Sequence, residues 1–236
     1  MLKKKKFYLH EANVDLGDSN RMSLRKARLL FTAYKDLNYK GSKKVFVGNP
    51  VVDSLNIDYS KKKKISFIFG SLGSKTLLEK VSEFLLHQKE NEKFIVVTSH
   101  KFFDEYHKKL QNISNVKVIK YIDRNELYSI SKLVFCRGGA STLSEVMNSK
   151  TNCVCIPSPY VKHNHQYNNA KYFFYHHALT LIKEEDFNSD KIKECLEYYK
   201  TEFAKMEIKN QKLFATENVS MKMYLKIKYD HNLQKL

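Results

Sequence analysis

The chain is short of cysteine, proline, glycine and arginine, has no tryptophan and no long apolar run, and each shortage excludes a class of protein. Four cysteines (Cys136, Cys153, Cys155 and Cys195) in 236 residues do not build the disulfide framework of a small secreted domain. Cys153 and Cys155 lie two apart in the apolar run Cys153-Val154-Cys155-Ile156. As strand residues they face one side and read as buried thiols, which suits a reducing cytoplasm. No apolar stretch reaches the roughly 18 residues of a membrane span. The lysines at 3–6 lead into charge and aromatics rather than the apolar centre of a secretory signal. Three prolines and seven glycines exclude a collagen-like chain.

What the chain does have is charge and a core. Forty-two Lys+Arg against 25 Asp+Glu give a net charge of +17. Only five of the basic residues are arginine, and Lys, Asn, Ile, Phe and Tyr are plentiful, so the composition reflects A+T-rich coding as much as selection for a polyanion. The charge favours phosphates, anionic lipid headgroups and nucleic acid without choosing among them. Scarce arginine and the lack of a nucleic-acid motif weigh against the last. A hydrophobic content of 42% with 13% aromatics supports a globular chain of one or two domains.

From about residue 45 the pattern alternates. Short apolar runs at 45–47, 65–69, 94–97, 116–119, 133–136, 153–156 and 179–182 read as strands. Between them lie helical spacings at 77–85, 102–110, 126–131, 141–147 and 165–177, then 192–203 and a tail from about Asn218. Residues 22–30 are expected to form an earlier helix opened by Asn20-Arg21. Strand and helix in alternation predict an α/β fold, a Rossmann-like parallel sheet with helices on both faces. In such sheets ligands sit at the carboxyl ends of the strands.

Three strand-to-helix turns carry candidate chemistry. Gly70-Ser71-Leu72-Gly73-Ser74 allows close backbone approach and free helix-start amides, which attract phosphate; it equally reads as an ordinary turn with Ser as N-cap. Arg137-Gly138-Gly139-Ala140-Ser141-Thr142-Leu143-Ser144-Glu145 offers the same amides to a diphosphate. Thr142 and Glu145 match a capping box, and Glu145 also suits a ribose diol; spacing leaves both readings open. The third turn, Pro157 to Ala170, places Gln166 and Asn169 on one helix face, where neutral amides suit sugar hydroxyls. His163 and His165 lack an acid or third His at ligand spacing, so no metal is expected.

Taken in order, these blocks resemble glycosyltransferase family 28. The family's His-Glu-Gln-Asn, Gly and Asn-Arg correspond to His10-Glu11-Ala12-Asn13, Gly17 and Asn20-Arg21. Its Gly-Asn-Pro-Val-Arg corresponds to Gly48-Asn49-Pro50-Val51-Val52, and its glycine turn to Phe69-Gly70-Ser71-Leu72-Gly73-Ser74. Tyr121-Ile122-Asp123, Arg137 to Glu145 and His165-Gln166-Tyr167-Asn168-Asn169-Ala170 complete the series. The resemblance implies the C-terminal half of a GT-B glycosyltransferase. Residues 1–40 would be the end of an N-terminal acceptor domain, 41–215 the donor-nucleotide-binding Rossmann-like domain, and 216–236 a C-terminal helix. It implies an inverting N-acetylglucosaminyltransferase of peptidoglycan synthesis, converting lipid I to lipid II, with UDP-N-acetylglucosamine as donor and no cofactor or obligate metal.

By position, the resemblance puts Asn13 near the sugar side of the interdomain cleft, Ser71 on the diphosphate and Ile122 against uracil through its backbone. Ala140, Ser141, Thr142, Leu143 and Ser144 would form the phosphate and ribose turn, with Glu145 on the ribose and Gln166 and Asn169 on the sugar. Val52 replaces the family's arginine, and the acceptor half with its catalytic residues has no counterpart, so the catalytic base is unassigned. The implied partners are a lipid-linked acceptor, a separate chain carrying the N-terminal half, and an anionic membrane surface, with the protein cytoplasmic and peripheral at the cytoplasmic face of the cell membrane. A non-catalytic remnant of the family, or a donor subunit needing a separate acceptor-domain chain, is the alternative.

Overall fold

A computed structural model describes residues 7–37, 39, 43–51, 59–70 and 73–232. Ser71, Leu72 and Val52 lie outside the described residues. The chain folds around two parallel sheets. The first contains β1 (Leu9–Glu11), β2 (Leu30–Thr32) and β3 (Lys44–Phe46), in that order, with helix α1 (Asp18–Ser23) after β1. The second contains β4 (Lys64–Ile68), β5 (Lys93–Val97), β6 (Val116–Ile119), β7 (Ser131–Cys136), β8 (Asn152–Cys155) and β9 (Thr180–Leu181). Its helices are α2 (Lys75–His87), α3 (Phe103–Leu110), α4 (Arg124–Ile130), α5 (Ala140–Ser149) and α6 (His165–Tyr175). Helices α7 (Ser189–Tyr198), α8 (Glu202–Gln211) and α9 (Val219–Asn232) follow.

The expected parallel α/β sheet is present. Its strand order is β6-β5-β4-β7-β8-β9, the 3-2-1-4-5-6 order of doubly wound nucleotide-binding sheets. Every strand pairing among the described residues is parallel, and Ile68 stands opposite Cys136 in register. Helices cover both faces because both faces are apolar. On one side Ile65, Phe67, Phe94 and Phe135 pack under Leu77, Val81 and Phe84 of α2. On the other Ile68, Val97, Val134 and Cys136 pack against Leu127, Leu143, Val146 and Phe173. Phe67 and Phe135 stack with ring centroids 4.7 Å apart, and each such fully buried ring is worth about 1.5–3 kcal/mol.

Two expected helices differ. Residues 22–30 do not form one helix: α1 ends at Ser23, and Leu30 opens β2. Leu30, Phe31 and Thr32 are all fully buried as the central strand of the small sheet. Pairing on both edges outweighs the helical spacing. The span 192–203 is two helices, α7 and α8. The Thr201 hydroxyl donates to the Tyr198 carbonyl at 2.6 Å, a local bond that competes with helix continuation. Tyr199 turns inward, its hydroxyl 3.0 Å from the Cys153 carbonyl and from Glu207 Oε1.

The last helix returns to the first sheet. Val219, Met223 and Ile227 of α9 pack on Phe31 and Val47, and Arg28 pairs with Asp230 at 2.8 Å. The expected boundary between residues 40 and 41 falls between two paired strands of this sheet, β2 and β3. The chain therefore crosses between the sheets twice, once near Gly48–Asn49 and again near Thr216. The crossings touch: Gly48 has φ +100°, and a Cβ there would collide with the Thr216 side chain. Asn148 of α5 brackets Thr216, donating to its carbonyl at 3.0 Å and accepting from its N–H at 2.9 Å.

Candidate functional site

The strand order reverses between β4 and β7, so the loops leaving their carboxyl ends diverge and leave a crevice. Both glycine turns sit there. In the first, Gly70 and Gly73 have φ of +86° and +70°. A Cβ on Gly73 would lie 2.8 Å from the Thr98 carbonyl oxygen and 3.0 Å from the Phe102 ring, so the position requires glycine. Ser74 is the N-cap of α2, its Oγ accepting from Leu77 N–H at 3.5 Å, as the ordinary-turn reading expects. In the second turn β7 ends at Cys136 and α5 begins at Ala140. Gly139 is the N-cap and offers no side-chain bond. The amides of Ala140, Ser141 and Thr142 therefore lead the helix without a side-chain cap, at its positive end.

The capping-box alternative for Thr142 and Glu145 is corrected. The two small residues after Gly139 let α5 start early, so Thr142 is its third residue and not its cap. Glu145 lies a further turn along, facing α4. Its Oε2 accepts from the Tyr128 hydroxyl at 3.1 Å and lies 3.4 Å from Arg124 Nη1. Burial pushes the Glu145 carboxyl above its ordinary value, and the Arg124 guanidinium and the Tyr128 hydrogen bond oppose that rise. Ile122 is buried at the carboxyl end of β6, packed with Leu127, Tyr128 and Leu143. The next residue, Asp123, caps α4 through its side chain.

The third turn packs directly on the second. A Cβ on Gly138 would collide with the Gln166 carbonyl oxygen. Gln166 Oε1 accepts from the Ser158 N–H at 3.0 Å. Asn169 is fully buried, and its amide stitches three segments. Its Oδ1 accepts from Val14 N–H at 2.9 Å, while its Nδ2 donates to Asn13 Oδ1 at 3.0 Å and to the Gly138 carbonyl at 3.3 Å. Asn13 is thereby held at the crevice from the small-sheet side. Asn49 adds a second tie, its Nδ2 donating to Ser144 Oγ at 2.9 Å and to the Ala12 carbonyl at 3.2 Å.

Three residues matter more here than their sequence context signals. Arg137 donates from Nη2 to Ser74 Oγ at 2.9 Å, and from Nη1 to Glu184 Oε2 at 2.6 Å and the Ile156 carbonyl at 3.1 Å. It locks the origin of α2 to the turn that opens α5. Glu184, its partner, sits in a run of charged residues that reads as a solvated loop yet is only 7% exposed. Glu11 is buried at the end of β1 and accepts from the N–H groups of Asn13 and Gly17 and from Asn20 Nδ2. That explains the His-Glu-x-Asn spacing: the acid shapes the loop that presents Asn13. On the outer rim Asp18 pairs with Lys162 and His163 at 2.8 and 2.9 Å. Lys162, then His163, hold its carboxyl down at about 2.

The structure thus gathers Asn13, Ala140 to Ser144, Gln166 and Asn169 around the second turn, with Glu145 and Ile122 on its α4 side. A doubly wound sheet with two glycine turns at its reversal point, faced by a second parallel sheet, is the architecture of the C-terminal half of a GT-B glycosyltransferase. The chain belongs to the glycosyltransferase family 28 C-terminal domain family, whose model matches residues 64–226.

Among its relatives is the UDP-N-acetylglucosamine--N-acetylmuramyl-(pentapeptide) pyrophosphoryl-undecaprenol N-acetylglucosamine transferase of Flavobacterium psychrophilum. It is 31% identical over 201 residues, covering 77% of this chain and 54% of the relative. The chain thus spans about half the length of that curated relative. The crystal structure of Acinetobacter baumannii MurG superposes with a TM-score of 0.80 at 22% identity, covering 95% of this chain and 68% of that one. The glycosyltransferase VinC in complex with dTDP has the same fold, with a TM-score of 0.62, 15% identity and coverage of 87% and 53%.

Proposed function

We propose that the crevice binds UDP-N-acetylglucosamine and that the chain is the donor half of an inverting N-acetylglucosaminyltransferase acting on a lipid-linked muramyl-pentapeptide acceptor. The observation that carries this reading is the convergence of two helix origins, α2 and α5, at the sheet's reversal point, with a half-buried acid alongside. Displacement at the anomeric carbon leaves charge on the departing diphosphate, and preorganised N–H dipoles meet that charge without reorganising. The amides of Ala140, Ser141 and Thr142 supply such dipoles, with Ser71 assigned to the same diphosphate. Leu143 and Ser144 hold the turn in shape, Ser144 through its bond to Asn49. Glu145 accepts from the ribose diol, and the backbone of Ile122 meets the uracil edge.

Gln166 keeps its Nε2 hydrogens for a sugar hydroxyl, because only its oxygen is engaged among the described residues. Asn169 donates a side-chain hydrogen bond to Asn13 Oδ1, and the two frame the sugar side together. Calorimetric titration with UDP and UDP-N-acetylglucosamine tests the reading. Binding that Glu145→Ala weakens by about tenfold or more, the loss of two hydrogen bonds to a charged group, supports it. No heat and no thermal shift at millimolar nucleotide sinks it.

A second reading, a non-catalytic remnant of the family or a donor subunit needing a separate acceptor-domain chain, is favoured by Val52 in place of the family's arginine. Transfer activity appearing only when a separately expressed acceptor domain is added distinguishes the subunit from the remnant. No helix among the described residues is long and apolar enough to cross a membrane. Its lysine-rich surface suits a peripheral association with anionic lipid, which sedimentation with phosphatidylglycerol vesicles tests.

A further inference from the structure

The carboxylate assigned to the ribose sits in an unusual setting. Glu145 lies on α5 with a side chain only 12% exposed. The titratable groups facing it are Tyr128 and Arg124 from α4 and Cys136 from β7. Arg124 is the one cation of that set. Its Nη1 lies 3.4 Å from Glu145 Oε2, is shielded from solvent, and has no aligned hydrogen-bond acceptor among the described residues. Tyr128 occupies Oε2 as a donor, so Oε1 takes no hydrogen bond among the described residues. The arrangement is an acid with one oxygen fixed from behind and the other left for a ligand.

We propose that Arg124 is a positioning residue that keeps Glu145 ionised and oriented, so that the pair discriminates a ribose from a 2′-deoxyribose nucleotide. The inference rests on the donor-binding reading above. A carboxylate accepts from both hydroxyls of a diol, whereas a protonated acid loses one acceptor and turns a donor toward them. Burial favours the protonated form and the neighbouring guanidinium opposes it. Arg124 occupies the first position of α4, directly after the cap residue Asp123, so its backbone is fixed and its reach to Glu145 is set by the helix. Tyr128 lies one turn further along the same face and completes the clamp.

The test compares the wild type with Arg124→Met and Arg124→Lys. Dissociation constants for UDP and 2′-deoxy-UDP are measured by calorimetry from about pH 8 down to about pH 6. The Glu145 carboxyl is titrated by ¹³C NMR in the ligand-free proteins. For the wild type, UDP binds more tightly than the deoxy analogue with a shallow pH dependence. For Arg124→Met, the carboxyl titrates at higher pH and UDP affinity falls as pH drops, by at most about tenfold per pH unit for one linked proton. Deoxy-UDP binding stays flat, and Arg124→Lys restores the wild-type profile.

Equal loss of both nucleotides at all pH values, or a Glu145 titration unmoved by Arg124→Met, overturns the proposal. If the wild type binds no UDP at all, the donor-binding reading fails. The carboxyl titration still judges whether Arg124 governs Glu145.

Discussion

Replacing Arg137 with methionine should uncouple the two helix origins and destabilise the fold. The guanidinium is 11% exposed and its partner carboxylate 7% exposed, 2.6 Å apart. Methionine fills much of the volume but leaves the Glu184 carboxylate buried without its cation. It also strips donors from Ser74 Oγ and the Ile156 carbonyl. Breaking a buried pair from one side costs about 3–5 kcal/mol, and the two lost neutral-acceptor bonds add about 1 kcal/mol each at most. Urea denaturation followed by circular dichroism reads this directly. With a slope of about 3 kcal/mol/M, the midpoint should fall by roughly 1–2.3 M.

Glu184→Gln leaves the Arg137 guanidinium buried without its anion and should also be strongly destabilising, less than Arg137→Met only by the bonds Arg137 keeps to Ser74 and Ile156. The double variant with Arg137→Met and Glu184→Gln should recover part of the loss, because no buried charge then remains. A midpoint for Arg137→Met within about 0.3 M of wild type, equivalent to about 1 kcal/mol, would refute the reasoning. It would mean that the pair is solvated or that the charge finds another partner.

Gly138→Ala should cost about 1–3 kcal/mol, the range for forced overpacking. The new methyl meets the backbone carbonyl of Gln166 and must push α6 away from the second turn, so denaturation and UDP titration should both report it. Asn169→Ala strands the Val14 N–H and the Gly138 carbonyl in a buried site, at about 1–3 kcal/mol for each unsatisfied group; a thermal melt unchanged from wild type would contradict the stitch.

Glu207 supplies a pH test, because burial lifts its carboxyl from 4.5 to about 8. The folded state holds this proton more tightly than the unfolded chain. Its stabilising share is therefore complete below about pH 4.5 and is lost as pH rises toward about 8. Glu207→Gln should remove that slope, raising stability at about pH 8 by a few kcal/mol relative to wild type. Parallel urea curves for both proteins at low and high pH check it.

The large sheet was legible because its strands are short, apolar and doubly buried, and its helices keep a one-sided spacing. Leu77, Leu78, Val81, Phe84 and Leu85 all point into one core. The two glycine turns were legible for the same reason: glycine followed by small residues after an apolar run has few other uses. Of the small sheet only β3, expected at 45–47, was legible. Leu30-Phe31-Thr32 is three residues long, too short for a period of two to separate it from the helical spacing before it. The helix expected at 141–147 begins one residue earlier, at Ala140, because Gly139 caps it without a side chain, and the cap pattern of Thr142 with Glu145 lies inside the helix. Arg137 was visible within its motif, but Glu184, its counter-charge, lies 47 residues away, and no local signal separates it from its exposed neighbours.

The paired crossings near Gly48 and Thr216 limit how the two sheets can move. A lobe tethered by a single strand could pivot in any direction, whereas two abutting tethers favour one axis, the line along which both bend together. The Asn148 bracket on Thr216 fixes one of these tethers to α5, the helix that opens the second turn, so a displacement of the small sheet would be carried to that turn.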